Sequence, residues 1–286
     1  MKNRKAIGIL VVFIVILSAM TASFGIFSSE GTGVYEYKSI RGKTVEIYGK
    51  GIYKHMSADV AVQGIGQDYV TLFIAIPVLL ISLIASYRGS LRARYALAGT
   101  LGYFFVSFLF YTCMGMYNIM FLAYLVLLAL SFFALLTTLL SFPLQRLHEK
   151  FKAGAPVKFV GGFLIFNSVA IAIMWLGVIV PPLMDGSIYP DQLQHYTTLI
   201  VQGLDLGLLL PLCFVSAVLF LKRKALGLLA APTYIVFLSL LMTALTAKLI
   251  AMATTGVSVV PAIFIIPAIN LTAIVTTVLL LRKVNS

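Results

Sequence analysis

The sequence predicts an all-α polytopic membrane bundle of about eight transmembrane helices, with a β-hairpin-like extracytoplasmic loop between helices 1 and 2. Three observations carry that expectation. The chain is 61% hydrophobic and only 10% charged over 286 residues, whereas an ordinary soluble domain carries roughly 25% charged residues. Eight apolar stretches each approach the ~20 residues that cross a bilayer as a helix. The polar connections between them alternate between strongly basic and mixed or acidic.

Taken in order, the apolar stretches are 6–27, 69–87, 95–114, 118–142, 159–183, 197–221, 226–252 and 260–281. The first, "IGILVVFIVILSAMTASFGIF", follows Lys2, Arg4 and Lys5 and superficially resembles a secretory signal. Its apolar run exceeds the 7–15 residues of a usual signal core, so residues 1–27 read as a retained helix. Residues 28–68 form the long extracytoplasmic loop. Within it Val45, Ile47 and Ile52 surround Gly49-Lys50-Gly51, a pattern of alternation and turn residues that predicts a short hairpin. Tyr35, Tyr37, Tyr48 and Tyr53 are expected at the headgroup level, where amphipathic rings are favoured.

The basic residues fix a topology. Fifteen of the 21 lie in alternate connections: Lys2, Arg4 and Lys5; Arg88, Arg92 and Arg94; Arg146, Lys150, Lys152 and Lys158; Lys222, Arg223 and Lys224; Arg282 and Lys283. Glu149 is the single acid among them, and Asp185 and Asp191 share a loop on the other side. Basic loops are held in the cytoplasm, which puts both termini there and suggests the plasma membrane of a prokaryote. The net charge of +12 is therefore a topology signal, and no nucleic acid is needed to explain it.

The chain reads as one integral membrane domain with a candidate duplication, about 1–142 and 159–286. "VQGIGQDYVTLFIAIP" in span 2 and "VQGLDLGLLLP" in span 6 both open on Val-Gln-Gly. Each carries an aspartate (Asp68, Asp205) and then a proline (Pro77, Pro211), with a basic residue 11 positions after the proline (Arg88, Lys222). Parallel repeats of this kind occur in transporters, with substrate sites between the halves.

Ionisable residues within the spans reduce to Asp205 and Lys248, with Asp68 at a boundary. A charge at mid-bilayer costs on the order of 2.5–3.5 kcal/mol on insertion scales, and such residues face a bundle interior or cavity. Asp205 lies about 12 Å and Lys248 about 6 Å below the outer end of their helices at ~1.5 Å per residue. A direct Asp205–Lys248 pair is the simplest way to hold both. Gln202 precedes Asp205 by three residues and shares its helix face. Gln67, Tyr111, Asn118, Asn167 and Trp175 fall in the same outer half, and Asn270 sits deeper.

The candidate ligand- or ion-binding set is Asp205, Lys248, Asp68, Gln202 and Asn118, with Asp205 as a proton or cation carrier and Lys248 as its counter-ion. The set calls for no cofactor and no metal. Cys113, Met114, Met116 and Met120 offer soft sulfur without a repeated ligand array, and both cysteines read as buried free thiols. Lys248 lies too close to the surface for a Schiff-base chromophore site. No nucleotide-loop, metalloprotease or nucleophile-elbow motif is present, so an enzyme is disfavoured. The expected function is a transporter-like or small-ligand-binding membrane protein whose partners are the bilayer and a small molecule or ion. The alternative is a sensor, scaffold or assembly partner acting through the loop, its protein partner unspecified.

Overall fold

The structure is a computed structural model that describes residues 3–256 and 258–285; Lys2 of the basic N-terminal group lies outside them. Among the described residues eight helices are long and apolar enough to cross a membrane: α1 (Arg4–Phe27), α2 (Ala58–Tyr87), α3 (Leu91–Cys113), α4 (Phe121–Leu139), α5 (Val157–Met184), α6 (Ile200–Leu221), α7 (Ala225–Thr254) and α8 (Ala262–Arg282). Apolar side chains dominate these segments, and in lipid a helix satisfies its own backbone polar groups. Eight apolar helices of this kind fit a multi-pass membrane protein.

The core is built on α3 and α7, which cross near their middles. Gly99 makes the approach: a Cβ there would stand 2.4 Å from the Val236 Cβ and 2.7 Å from the Thr233 carbonyl oxygen, so any side chain would force the helices apart. Tyr95, fully buried in α3, donates its hydroxyl to the Leu228 carbonyl of α7 at 2.7 Å. The helices α2 and α4 pack on α3, α6 and α8 pack on α7, and α2 also lies along α7. One asymmetry separates the two ends of the chain. Helix α1 closes against α4, whereas α5 and α8 meet only marginally.

The helix α2 begins at Ala58, eleven residues before the expected start at 69, which shortens the loop to 28–57. The polar run Gln63, Gln67 and Asp68 disguises the helix in the sequence. Gln67 and Asp68 are in fact buried against other helices. The expected hairpin exists, as β1 (Tyr35–Lys38) antiparallel to β2 (Thr44–Ile47) with Tyr35 opposite Ile47 and Lys38 opposite Thr44. Its turn, however, is residues 39–43 rather than Gly49-Lys50-Gly51. Ser39 accepts from the Lys43 backbone through its hydroxyl and donates to the Lys43 carbonyl through its own N–H. Val45 and Ile47 do point inward, as the alternation expects.

The hairpin and the loop between α5 and α6 form a cap over one end of the bundle. Arg41 donates to the carbonyls of Gln194 (2.9 Å) and Tyr196 (2.6 Å). Lys43 bonds the Asp191 carboxylate at 2.5 Å, and Tyr196 meets Ser57 at 3.2 Å. The opposite end carries the basic loops and both termini. There Phe151 bridges Val284, Arg92 donates to the Val284 carbonyl at 2.6 Å, and Tyr87 donates to the Arg4 carbonyl.

Two spans depart from regular α-helix in the same way. In α2 residues Thr71–Ala75, and in α6 residues Asp205–Leu209, form a π-helical turn. Each is closed by a bond to the carbonyl five residues back, Ile76 to Thr71 and Leu210 to Asp205. In each the next residue is the proline, Pro77 or Pro211. Proline has no N–H and its ring collides with the carbonyl four residues earlier; a wider turn just before it relieves both problems.

Candidate functional site

Near the cap end, three ionisable side chains from three helices come together: Asp68 of α2, Asp205 of α6 and Lys248 of α7. Asp68 is 4% exposed, and both of its oxygens are held by phenols. The Tyr53 hydroxyl donates to Oδ2 at 2.5 Å, and the Tyr111 hydroxyl to Oδ1 at 2.7 Å. Hydrogen bonds to a charged acceptor are the stronger kind, and they keep a buried carboxylate tolerable. Tyr53 comes from the short 3-10 turn Gly51–Tyr53 of the cap. Its ring stacks on Tyr111, which in turn stacks on Tyr124 at 5.2 Å between centroids.

Tyr53 is thus a correction to the expected aromatic belt: it is 2% exposed and belongs to the carboxylate. Burial, and next the charge of Asp68, pushes its phenol well above the ordinary tyrosine range, so it stays a donor across the working pH. Helix α1 contributes the absence of a side chain. At Gly25 a Cβ would fall 1.7 Å from Asp68 Oδ2 and 3.0 Å from the Tyr53 hydroxyl. Only glycine lets α1 cover the carboxylate. Next to Asp68, Gln67 donates to Tyr103 (2.8 Å) and Ser107 (2.9 Å), and Thr71 meets Tyr103 at 2.9 Å. These bonds pin α2 to α3 immediately before the π turn.

Asp205 opens the π turn of α6 and is half-buried. Trp175 of α5 donates its indole N–H to Oδ2 at 2.8 Å; it is the chain's one tryptophan. The expected direct pair with Lys248 is not formed. Among the described residues no hydrogen bond or ion pair joins Lys248 to either carboxylate, although it interacts electrostatically with both Asp205 and Asp68. The reason is geometric: the carboxylates are already turned toward neutral donors on α3, α5 and the cap.

The other expected residues divide. Gln202 is buried in the first turn of α6. Asn118 serves the turn between α3 and α4, accepting from the Met120 N–H at 2.8 Å and donating to the Met116 carbonyl. Asn270 of α8 bonds Thr243 (3.2 Å) and Thr246 (3.5 Å) of α7. Of the cysteines, Cys213 is buried and donates to the Leu164 carbonyl, while Cys113 is exposed at the end of α3, against the expectation of two buried thiols.

Sequence reasoning named Asp68, Asp205 and Lys248 and noted Trp175 and Tyr111 at the right depth. It did not find Tyr53 or Gly25 as partners of Asp68. The only available signal for Gly25 was a glycine in an apolar span, which by itself is ambiguous. Comparison with known proteins returned no match to any protein-family model, any curated protein or any solved structure.

Proposed function

We propose that the chain is a transporter-like membrane protein that binds a small molecule or ion at Asp205, Lys248 and Asp68, with Gln202 on the same face as Asp205. The cap faces outward, and the basic end with both termini faces the cytoplasm of a prokaryotic cell, following the charge rule for loops. The observation that supports this reading best is that, among the described residues, Lys248 makes no hydrogen bond or ion pair with either carboxylate. A structural staple would set the ammonium on a carboxylate. Here neutral aromatic donors hold both oxygens of Asp68 and one of Asp205, and the Lys248 ammonium keeps its donors for a ligand. Asp205 keeps one oxygen for a proton or cation.

The π turns support the reading in a second way. Such turns are frequent at functional sites. Both occur at the same place relative to a proline, and each proline is followed 14 residues later by the first residue of the next span, Leu91 or Ala225. Residues 1–142 and 159–286 are on this account two halves of like orientation, with α2 matching α6 and α3 matching α7. The site lies where α2 and α6 face α7.

Stability measurements on Lys248→Gln, Asp205→Asn and the double variant test the reading. Lys248→Gln removes a through-space interaction with Asp205 and Asp68 but breaks no hydrogen bond, so its cost should stay well below that of a broken buried pair. A staple would instead lose about 3–5 kcal/mol when one partner is removed and recover it in the double variant. That pattern would overturn the proposal.

A further inference from the structure

A cleft of about 700 Å³ opens at the cap end between the hairpin, the first turn of α2 and the loop before α6. Its walls include Lys43 and Glu46 of the hairpin, Asp59 of α2, and Asp191 and Gln194 of the loop. Their charges do not balance. Lys43 is matched to Asp191. Among the described residues the Asp59 carboxylate accepts only from the neutral Gln194 amide, at 3.1 and 3.0 Å. Glu46 is exposed and has no bonded partner among the described residues. Two carboxylates in one concave wall therefore lack a cation.

Below the cleft a second hollow of about 420 Å³ runs down the seam between α2 and α7, lined by Ile65, Tyr69, Ala247, Ile250 and Ala251. Val62 borders both hollows, and Thr254 of the lower one adjoins Thr255 of the upper. The lower walls are almost wholly apolar and belong to membrane-spanning helices. An anionic cleft at the membrane surface thus runs into an apolar groove at membrane depth.

The geometry points to a phospholipid site for a head that carries a primary amine. The ammonium would sit on Glu46 and Asp59, the phosphate on the side of Lys43, and one acyl chain in the α2–α7 groove. Charge selects among lipids: an anionic head would face the two unmatched carboxylates, and a quaternary ammonium offers them no N–H. The volume of the cleft lies within the range of small-ligand sites. This site shares no residue with Asp68, Asp205 and Lys248, so it stands whether or not the proposed function does.

Native mass spectrometry of the delipidated full chain tests it, with dioleoyl phosphatidylethanolamine, dioleoyl phosphatidylglycerol and soluble phosphoethanolamine as probes. The ethanolamine lipid should be retained roughly tenfold better than the glycerol lipid, the worth of one charge-assisted contact. Glu46→Gln, an exposed and conservative change, should remove most of that preference, and Glu46→Gln with Asp59→Asn the rest. Ala251→Phe, which fills the groove, should weaken lipid retention while the melting temperature holds. Equal retention of the two lipids, or a preference that survives the double variant, would overturn the assignment. So would phosphoethanolamine competing as well as the lipid, because the groove would then contribute nothing.

Discussion

Tyr53→Phe removes one hydroxyl from one side of the Asp68 carboxylate and changes nothing else in volume. The ring is 2% exposed, so its apolar burial is unaltered, and Tyr111 continues to hold Oδ1 at 2.7 Å. A hydrogen bond to a charged group contributes about 1.5–3 kcal/mol net. The 2.5 Å bond to Oδ2 crosses from the cap to α2, so the expected loss is about 2 kcal/mol. The measurement is unfolding in mixed micelles by detergent titration, followed through the fluorescence of Trp175. Repeating it in an Asp68→Leu background supplies the control: the hydroxyl then keeps only its 3.3 Å bond to the Tyr111 hydroxyl, and Tyr53→Phe should cost much less than in the native background. A loss below about 0.5 kcal/mol in the native background, or an equal loss in both, would refute the placement of Tyr53 on Asp68.

Four other outcomes are expected. Gly25→Ala, which would put a Cβ 1.7 Å from Asp68 Oδ2, should cost at least the ~1–3 kcal/mol of core overpacking, while Gly162→Ala, with open space around its Cβ, should be neutral or stabilising in the same melts. Asp205→Leu should move Trp175 emission to the blue, because the carboxylate at the indole N–H favours the excited state, in which electron density moves toward the benzene ring. Deleting Gly207, which has nothing within 4 Å of its Cβ position, should turn the π turn into α-helix and rotate Asp205 by about 100°; the emission should then match that of Asp205→Leu. The hydrogen bond and charge of Lys43 hold the Asp191 carboxyl below its ordinary range. That contribution is complete above the ordinary aspartate value of about 3.9 and is lost as pH falls through the lower folded value. The protection of amides in the loop 185–199, corrected for the intrinsic slowing of exchange at low pH, should therefore fall on acidification, and Lys43→Gln should remove the dependence.

The eight helices were legible because each is a long apolar run, and a membrane leaves such a run few alternatives to a helix. Asp68, Asp205 and Lys248 were legible for the complementary reason: a charge in such a run is conspicuous. The start of α2 was not, since Gln63, Gln67 and Asp68 look like loop residues until α3 and the cap are in place to satisfy them. The hairpin strands followed from the alternation of Val45 and Ile47, but the turn did not. Gly49 and Gly51 take positive φ just beyond the second strand, so their turn-like chemistry is real but belongs to the return toward α2. The contacts that shape the site join residues far apart in the chain, such as Trp175 to Asp205 and Lys43 to Asp191. No local pattern encodes which tyrosine meets which carboxylate, or that Lys248 bonds neither Asp68 nor Asp205.

The proposed role of Asp205 as a proton carrier, with Lys248 as its counter-ion, has a direct test. Proton flux into proteoliposomes of the full chain, read by an enclosed pH-sensitive dye under an imposed potassium diffusion potential, tests it most directly. Flux is expected in the native protein; it should disappear in Asp205→Asn and fall sharply in Lys248→Gln, with both variants folded. Flux unchanged by Asp205→Asn would contradict it, as would no flux from a native protein that is folded and oriented in the vesicles.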